Sequence, residues 1–262
     1  KSLEFSLDQW RKIVNYAKKI KIKIFFSVFD LESFKMLKKL KIKIVKIPSG
    51  EINNFHLLDA IKKSKLKVIL STGMCNISEI SEAIKKLKNC KINLMHCVSE
   101  YPTQKPNLKL IKILKDRFKI NVGYSDHTKD TFTPALSVIA GANMIEKHFT
   151  YNKNQKISDH HFSLNPQELK EMTRNIIFAL NSLGEKEKKI SLKEKKLQFF
   201  ARKGLYLNKD KLKGQKITKK DLISLRPEGQ IKLNNYHKIL NKFLRKSVKK
   251  LQPLKLNDFK RK

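Results

Sequence analysis

Two histidines carry the strongest chemical signal in this sequence. His127 falls at the end of one apolar segment, residues 120–128, and His148 at the end of another, residues 144–150. Between them, residues 134–140 read as a helix that opens on Pro134 and is closed by Gly141. A strand, a helix and a strand in that order make the two strands parallel, so both C-terminal ends reach one rim. Imidazole nitrogen suits a divalent transition metal. Two such ligands with open positions left over suit a catalytic ion rather than a structural one. The spacing alone also admits two unrelated histidines, one at a strand cap and one satisfied in the core.

Other polar side chains recur at the same kind of position. Ser27, Ser49 with Glu51, Ser71, Ser99 and Ser125 each fall at or just after the end of an apolar run. Those runs are residues 22–29, 42–47, 67–70, 92–98 and 120–128. A lone serine there is usually the cap of the next helix. A hydroxyl, carboxylate or imidazole at six successive strand ends points instead to the C-terminal rim of an α/β barrel, where active sites lie.

The elements that position these residues are legible in the pattern. Ser6 with Gln9 forms a capping box, followed at helical spacing by Trp10, Ile13, Val14 and Ala17. Asp30 caps a helix bearing Leu31, Phe34, Leu37 and Leu40, and Asn76 with Glu79 opens another with Ile80, Ala83, Ile84 and Leu87. Leu57, Leu58 and Ile61 mark a third helix, and residues 108–114 a fourth. Six strands therefore alternate with helices, which implies an α/β fold with a parallel sheet. A (β/α)8 barrel has eight strands, so residues 1–184 read as an N-terminally truncated barrel whose first two strands are expected upstream of Lys1. After a loop at 151–162, Asn165, Pro166 and Glu168 start a long helix with Leu169, Met172, Ile176, Ile177 and Leu180 on its stripe and Gly184 at its end. Residues 185–198, mostly Lys and Glu, read as a linker. Residues 199–262 are broken by Gly204, Gly214, Pro227, Gly229 and Pro253, the mark of a small turn-rich domain.

The chain has 262 residues and a formal net charge of +36. Lysine supplies nearly all of it, since only seven of the 59 basic residues are Arg. Proteins that read bases or grip phosphates lean on the arginine fork. Scattered Lys is a solvated surface, so nucleic acid is not expected as a partner. A polyanion-binding protein is the alternative from a different class, and a steep loss of affinity with salt would mark it. No apolar run approaches a membrane span, and the N-terminus shows no signal peptide, so no membrane association is expected. Cys75, Cys90 and Cys97 have no metal-type spacing, and their odd number fits a reducing cytoplasm.

Five motifs in order resemble one family. They are Lys46-Ile47-Pro48-Ser49-Gly50-Glu51, Ile69-Leu70-Ser71-Thr72-Gly73-Met74, His96-Cys97-Val98-Ser99-Glu100-Tyr101-Pro102-Thr103, Gly123-Tyr124-Ser125-Asp126-His127-Thr128 and Glu146-Lys147-His148-Phe149-Thr150. Their sequence resembles the N-acetylneuraminate (sialic acid) synthases, a family shared with legionaminate and pseudaminate synthases. The tail, with Ala201-Arg202-Lys203-Gly204-Leu205, Lys213-Gly214, Ile217-Thr218, Asp221-Leu222 and Arg226-Pro227, resembles their C-terminal antifreeze-like (SAF) domain. The resemblance implies a TIM barrel that condenses phosphoenolpyruvate with an N-acetylated hexosamine, such as N-acetylmannosamine. The products are a nine-carbon 2-keto acid and phosphate.

Carried over by motif, His127 and His148 are the expected ligands of a divalent metal, manganese first, with magnesium or cobalt as alternatives. Lys46, Ser71 and Ser125 are expected phosphoenolpyruvate contacts, with Ser27, Ser49 and Ser99 in the same substrate-binding cluster. Glu51 resembles the catalytic carboxylate, and Tyr101 and Asp159 resemble sugar contacts. Arg226 resembles the residue that the small domain lends to the partner subunit in a domain-swapped homodimer. Where the family usually has Gly-Pro before the Asp-His of its sugar loop, this chain has Ile157-Ser158. The Asp159-His160 pair leans towards sialate or legionaminate over pseudaminate.

Overall fold

In the computed structural model, which describes residues 4–155 and 158–259, six strands pair in sequence order in one parallel sheet. They are β1 (Phe26–Ser27), β2 (Ile44–Ile47), β3 (Lys67–Ser71), β4 (Lys91–His96), β5 (Val122–Asp126) and β6 (Ile145–Lys147). Helix α1 (Leu7–Lys19) precedes the sheet. Helices α2 (Leu31–Lys39), α3 (Phe55–Ser64), α4 (Ile77–Lys86), α5 (Lys109–Phe118) and α6 (Thr133–Ile139) follow β1 to β5 in turn, and α7 (Pro166–Leu183) comes after β6. Ile157, part of the departure in the sugar loop, lies outside the described residues.

Alternation along the strands sorts the side chains between two faces. Val45, Ile47, Val68, Leu70, Leu94, Val122 and Tyr124 lie on one face and pack with Phe34, Leu37, Leu57, Leu58, Ile61, Ile80, Leu87 and Ile111 from the helices. Lys46, Ile69, Ser71, Met95, Ser125 and Glu146 alternate with them and fall on the other face. Helices α1, α2, α3, α4 and α7 start on side-chain caps. The Asn76 side chain accepts from Glu79 N at 3.0 Å, and Glu79 Oε2 accepts from Asn76 N at 2.7 Å.

Two expectations need correction. Residues 22–29 read as one long strand, but only Phe26 and Ser27 pair, with Val45 and Lys46. The chain leaves α1 through Lys21 at φ 59°, with Ile22 N still bonded to Ala17 O, and β1 is an edge with a neighbour on one side only. Residues 22–25 therefore have no ladder to join. The second correction concerns residues 185–198, expected as a linker. Helix α8 (Leu192–Ala201) begins there, on a capping box of Ser191 with Glu194. It buries none of its residues, so its cap and helix-forming side chains make it a helix without an apolar stripe.

The chain divides into two compact units, Lys1–Gly184 and Glu185–Lys262. In the second, β7 (Gly204–Leu207) and β8 (Leu222–Leu225) form an antiparallel pair over a core of Leu205, Leu207, Ile217, Ile231, Leu244 and Leu254. A Cβ on Gly204 would lie 1.9 Å from the Glu228 carbonyl oxygen, so only glycine fits this backbone approach. The unit also repeats itself. Residues 209–222 and 246–259 follow the same course, with Lys211 and Val248 exchanging N–H···O bonds between the two copies. Gln215 and Gln252 each accept from the backbone three residues earlier. Ile217 and Leu254 are both fully buried, and so, nearly, are Asp221 and Asp258.

Candidate active site

The polar residues of the inner face meet at the C-terminal ends of the strands. Glu146 Oε1 accepts from Lys46 Nζ at 2.5 Å and from Ser125 Oγ at 2.8 Å. Ser125 and Glu146 are register partners, so the pairing of β5 with β6 itself sets the second bond. The Lys46 side chain is 15% exposed and that of Glu146 31%. Ser71 Oγ on β3 is buried and has no hydrogen-bond partner among the described residues. A buried hydroxyl with no protein partner is open to a ligand or a water.

Ser49 and Ser99 gather around Gly73. Ser49 Oγ accepts from Gly73 N at 2.9 Å and lies 3.4 Å from Cys97 Sγ. A Cβ at Gly73 would stand 2.3 Å from Ser99 Oγ and 2.7 Å from Cys97 Sγ. Glycine is thus what lets these side chains close in. Ser27 is the register partner of Lys46 but is exposed at the β1 edge.

The two histidines come together. Their ring centroids are 5.7 Å apart, with the planes at 73°. His127 Nδ1 donates to the Val98 carbonyl at 2.7 Å, which leaves Nε2 as its free nitrogen. His148 Nδ1 lies 3.5 Å from Asp159 Oδ2. The Tyr101 ring lies tilted against His127, with centroids 4.1 Å apart and the planes at 34°, and Phe162 packs against both Tyr101 and His148. Burial pushes both imidazole pKa values down, against the pull of the Val98 bond on His127 and of Asp159 on His148, and each histidine's neighbours include Lys46 and Glu146. Both rings are therefore held towards the neutral form, the one that ligates metal. Burial pushes the Tyr101 phenol up, so it remains a hydrogen-bond donor.

These features fit a divalent ion. A metal-binding imidazole normally donates its second nitrogen to a carbonyl or carboxylate, as His127 does. Among the described residues no group of three or more His, Cys, Asp or Glu is assembled for a metal; His127 and His148 are two imidazoles that come together there.

Glu51 has no hydrogen bond or ion pair to this cluster among the described residues. The Glu51 carboxylate accepts from Asn54 Nδ2 at 2.8 Å, within its own short turn. Arg226 is exposed just past β8, in the second unit. Glu146, in contrast, is a central carboxylate that the choice of site residues passed over. The signal was its place two residues before His148, which puts both on one face of a strand.

The model of the NeuB family matches residues 1–188. An N,N'-diacetyllegionaminic acid synthase from Campylobacter jejuni is 42% identical over 254 residues, covering 94% of this chain and 76% of that protein. The crystal structure of the N-acetylneuraminic acid (sialic acid) synthetase of Leptospira borgpetersenii is similar with a TM-score of 0.70 at 34% identity, covering 74% of this chain and 70% of that one. A spore coat polysaccharide biosynthesis protein E from Chromobacterium violaceum gives 0.83 at 26% identity, covering 98% and 80%.

Proposed function

Because the chain belongs to the NeuB family, we propose that it condenses phosphoenolpyruvate with an N-acetylated hexosamine to give a nine-carbon 2-keto sugar acid and phosphate. The observation that carries this reading is one rim holding two neutral-leaning imidazoles beside a lysine and a buried free hydroxyl. Lys46, Ser71 and Ser125 are the contacts for the phosphate and carboxylate of phosphoenolpyruvate, with Ser49 and Ser99 braced around Gly73 and Ser27 at the edge of the cluster. They hold the enol carbon before it attacks the sugar aldehyde. A divalent metal held by His127 and His148, manganese in the first instance, supplies Lewis-acid polarisation of that aldehyde when bound.

Attack forms the new carbon–carbon bond, turns the aldehyde oxygen into an alkoxide that takes up a proton to become a hydroxyl, and leaves an electron-poor C2. Water adds at C2 and gives up a proton to a carboxylate, the role proposed for Glu51. The adduct then expels phosphate and leaves the 2-keto acid. Glu146, bonded to both Lys46 and Ser125, holds those two donors in place. Tyr101 and Asp159, which flank the imidazoles, are the proposed sugar contacts.

The acceptor is N-acetylmannosamine or a close relative. The similarity to a diacetyllegionaminic acid synthase favours a hexose with two acetamido groups as the second reading. Phosphate release measured with each sugar in turn separates the two. Release with neither sugar, from folded protein supplied with Mn²⁺, refutes both.

The architecture proposed with this function is six of the eight units of a TIM barrel followed by a SAF-type domain. Arg226 of that domain would reach the partner's site in a swapped homodimer, in a cytoplasmic setting.

A further inference from the structure

Behind the two imidazoles, on the helix-covered face, lies a buried ionic knot. Asp126 and Lys147 are the last register pair of β5 and β6. Their side chains are 0% and 3% exposed. Asp126 Oδ1 accepts from Tyr124 OH at 2.9 Å and from Thr128 N at 2.8 Å. Asp126 Oδ2 accepts from Thr128 Oγ1 at 3.1 Å and from Lys147 Nζ at 2.6 Å. Lys147 Nζ also donates to the carbonyl and hydroxyl oxygens of Thr128. All three ammonium hydrogens and both carboxylate oxygens thus have partners.

A buried pair of this kind is weak evidence for stability, because apolar residues of similar volume hold strands together at least as well. What it adds is fixed geometry. The next residue on each strand is His127 or His148, and the β5–β6 ladder has ended before either. Thr128, bonded to both members of the pair, follows His127 directly. The knot therefore brackets His127 on both sides and adjoins His148.

We infer that Asp126, Thr128 and Lys147 are positioning residues that set the spacing of the two imidazoles and so the affinity of the site for a divalent cation. This rests on the reading of His127 and His148 as metal ligands. The test titrates the full chain with Mn²⁺ alone, reading free Mn²⁺ by electron paramagnetic resonance, for wild type, His127→Ala, Thr128→Val and the double variant Asp126→Asn/Lys147→Met. Thermal unfolding is recorded alongside.

Loss of a group that orients a metal ligand typically costs about 10- to 100-fold in affinity. The double variant is expected to raise Kd by at least about ten-fold while still unfolding cooperatively. A folded double variant with the wild-type Kd and a lowered Tm makes the knot purely structural and overturns the inference. If the double variant does not fold, Thr128→Val decides, because it removes only the shared hydroxyl; an unchanged Kd overturns the inference and a raised one supports it. Wild-type protein that binds no Mn²⁺, or His127→Ala that binds it normally, overturns the ligand reading, and the inference falls with it. Loss of binding in His127→Ala beside a normal double variant overturns the inference alone.

Discussion

Glu146 shares its Oε1 between Lys46 and Ser125, and that sharing has a consequence that separates binding from stability. Lys46→Met removes the ammonium and leaves Glu146 with Ser125 alone. Glu146→Gln keeps an acceptor at the same place and removes the negative charge. A charge-assisted hydrogen bond contributes about 1.5–3 kcal/mol net. The Glu146 side chain keeps 31% exposure, so screening brings the expected coupling between the two down to about 1–2 kcal/mol. A double-mutant cycle on thermal or urea unfolding measures it.

Phosphoenolpyruvate binding should split the two variants. Lys46→Met loses a charge-assisted contact to the ligand, about ten-fold or more in Kd by calorimetry. Glu146→Gln keeps the Lys46 ammonium but weakens the carboxylate that holds it and Ser125 in place, so binding should weaken, and by less than in Lys46→Met. If Lys46→Met binds phosphoenolpyruvate as tightly as the wild type, then Lys46 is a structural partner of Glu146 and not a ligand contact.

Other outcomes follow from the same geometry. Gly73→Ala should raise KM for phosphoenolpyruvate by about ten-fold or more, because the added carbon displaces the Ser99, Cys97 and Ser49 side chains that crowd Gly73; an unchanged KM would remove that cradle from the site. His96 is buried, and burial holds its pKa below the ordinary imidazole value even though its Nε2 is bonded to Pro106 O. The unfolded chain then takes up that proton first, at about pH 6.5. Stability is therefore full above that pH and falls as the pH drops below it, with a shallower fall in His96→Gln. Unfolding midpoints from pH 8 to pH 5 with equal slopes for both proteins would contradict this. Asp221→Ala removes the acceptor of Thr218 N, Thr218 Oγ1 and two lysines, and should destabilise the second unit by about 3 kcal/mol; a loss under about 1 kcal/mol by urea unfolding would show the cap to be dispensable. An Arg226→Ala subunit mixed with a Glu51→Ala subunit should regain part of the lost turnover. Inactive mixtures in which mixed dimers demonstrably form would rule out the trans role.

Much of this architecture was legible in residue patterns. Period-2 runs and capping pairs such as Asn76 with Glu79 located the strands and helices, because there local chemistry and tertiary packing agree. The rim was legible too, since a strand's C-terminal end is where its last alternating residue stands. The misses share a cause. Residues 22–25 have the composition of a strand, but pairing needs a neighbour, and neighbours are not visible locally. Helix α8 has a cap and no stripe, so a search by hydrophobic period passes over it. Asp126 and Lys147 stand in two of the motifs with no role given to either, because only strand register brings them together. The internal repeat of the second unit is carried by backbone turns and by Asp221 and Asp258, with little identity between the copies.

The central claim is the condensation itself, and the fate of one oxygen tests it most directly. Phosphoenolpyruvate labelled with ¹⁸O at the bridging oxygen, incubated with the protein, Mn²⁺ and an N-acetylated hexosamine, is analysed by mass spectrometry of both products. If water adds at C2 and phosphate is then expelled, the label leaves in the phosphate, a nine-carbon 2-keto acid appears, and neither forms without the sugar. Label retained in the keto acid, or phosphate released at the same rate with and without sugar, would contradict the account.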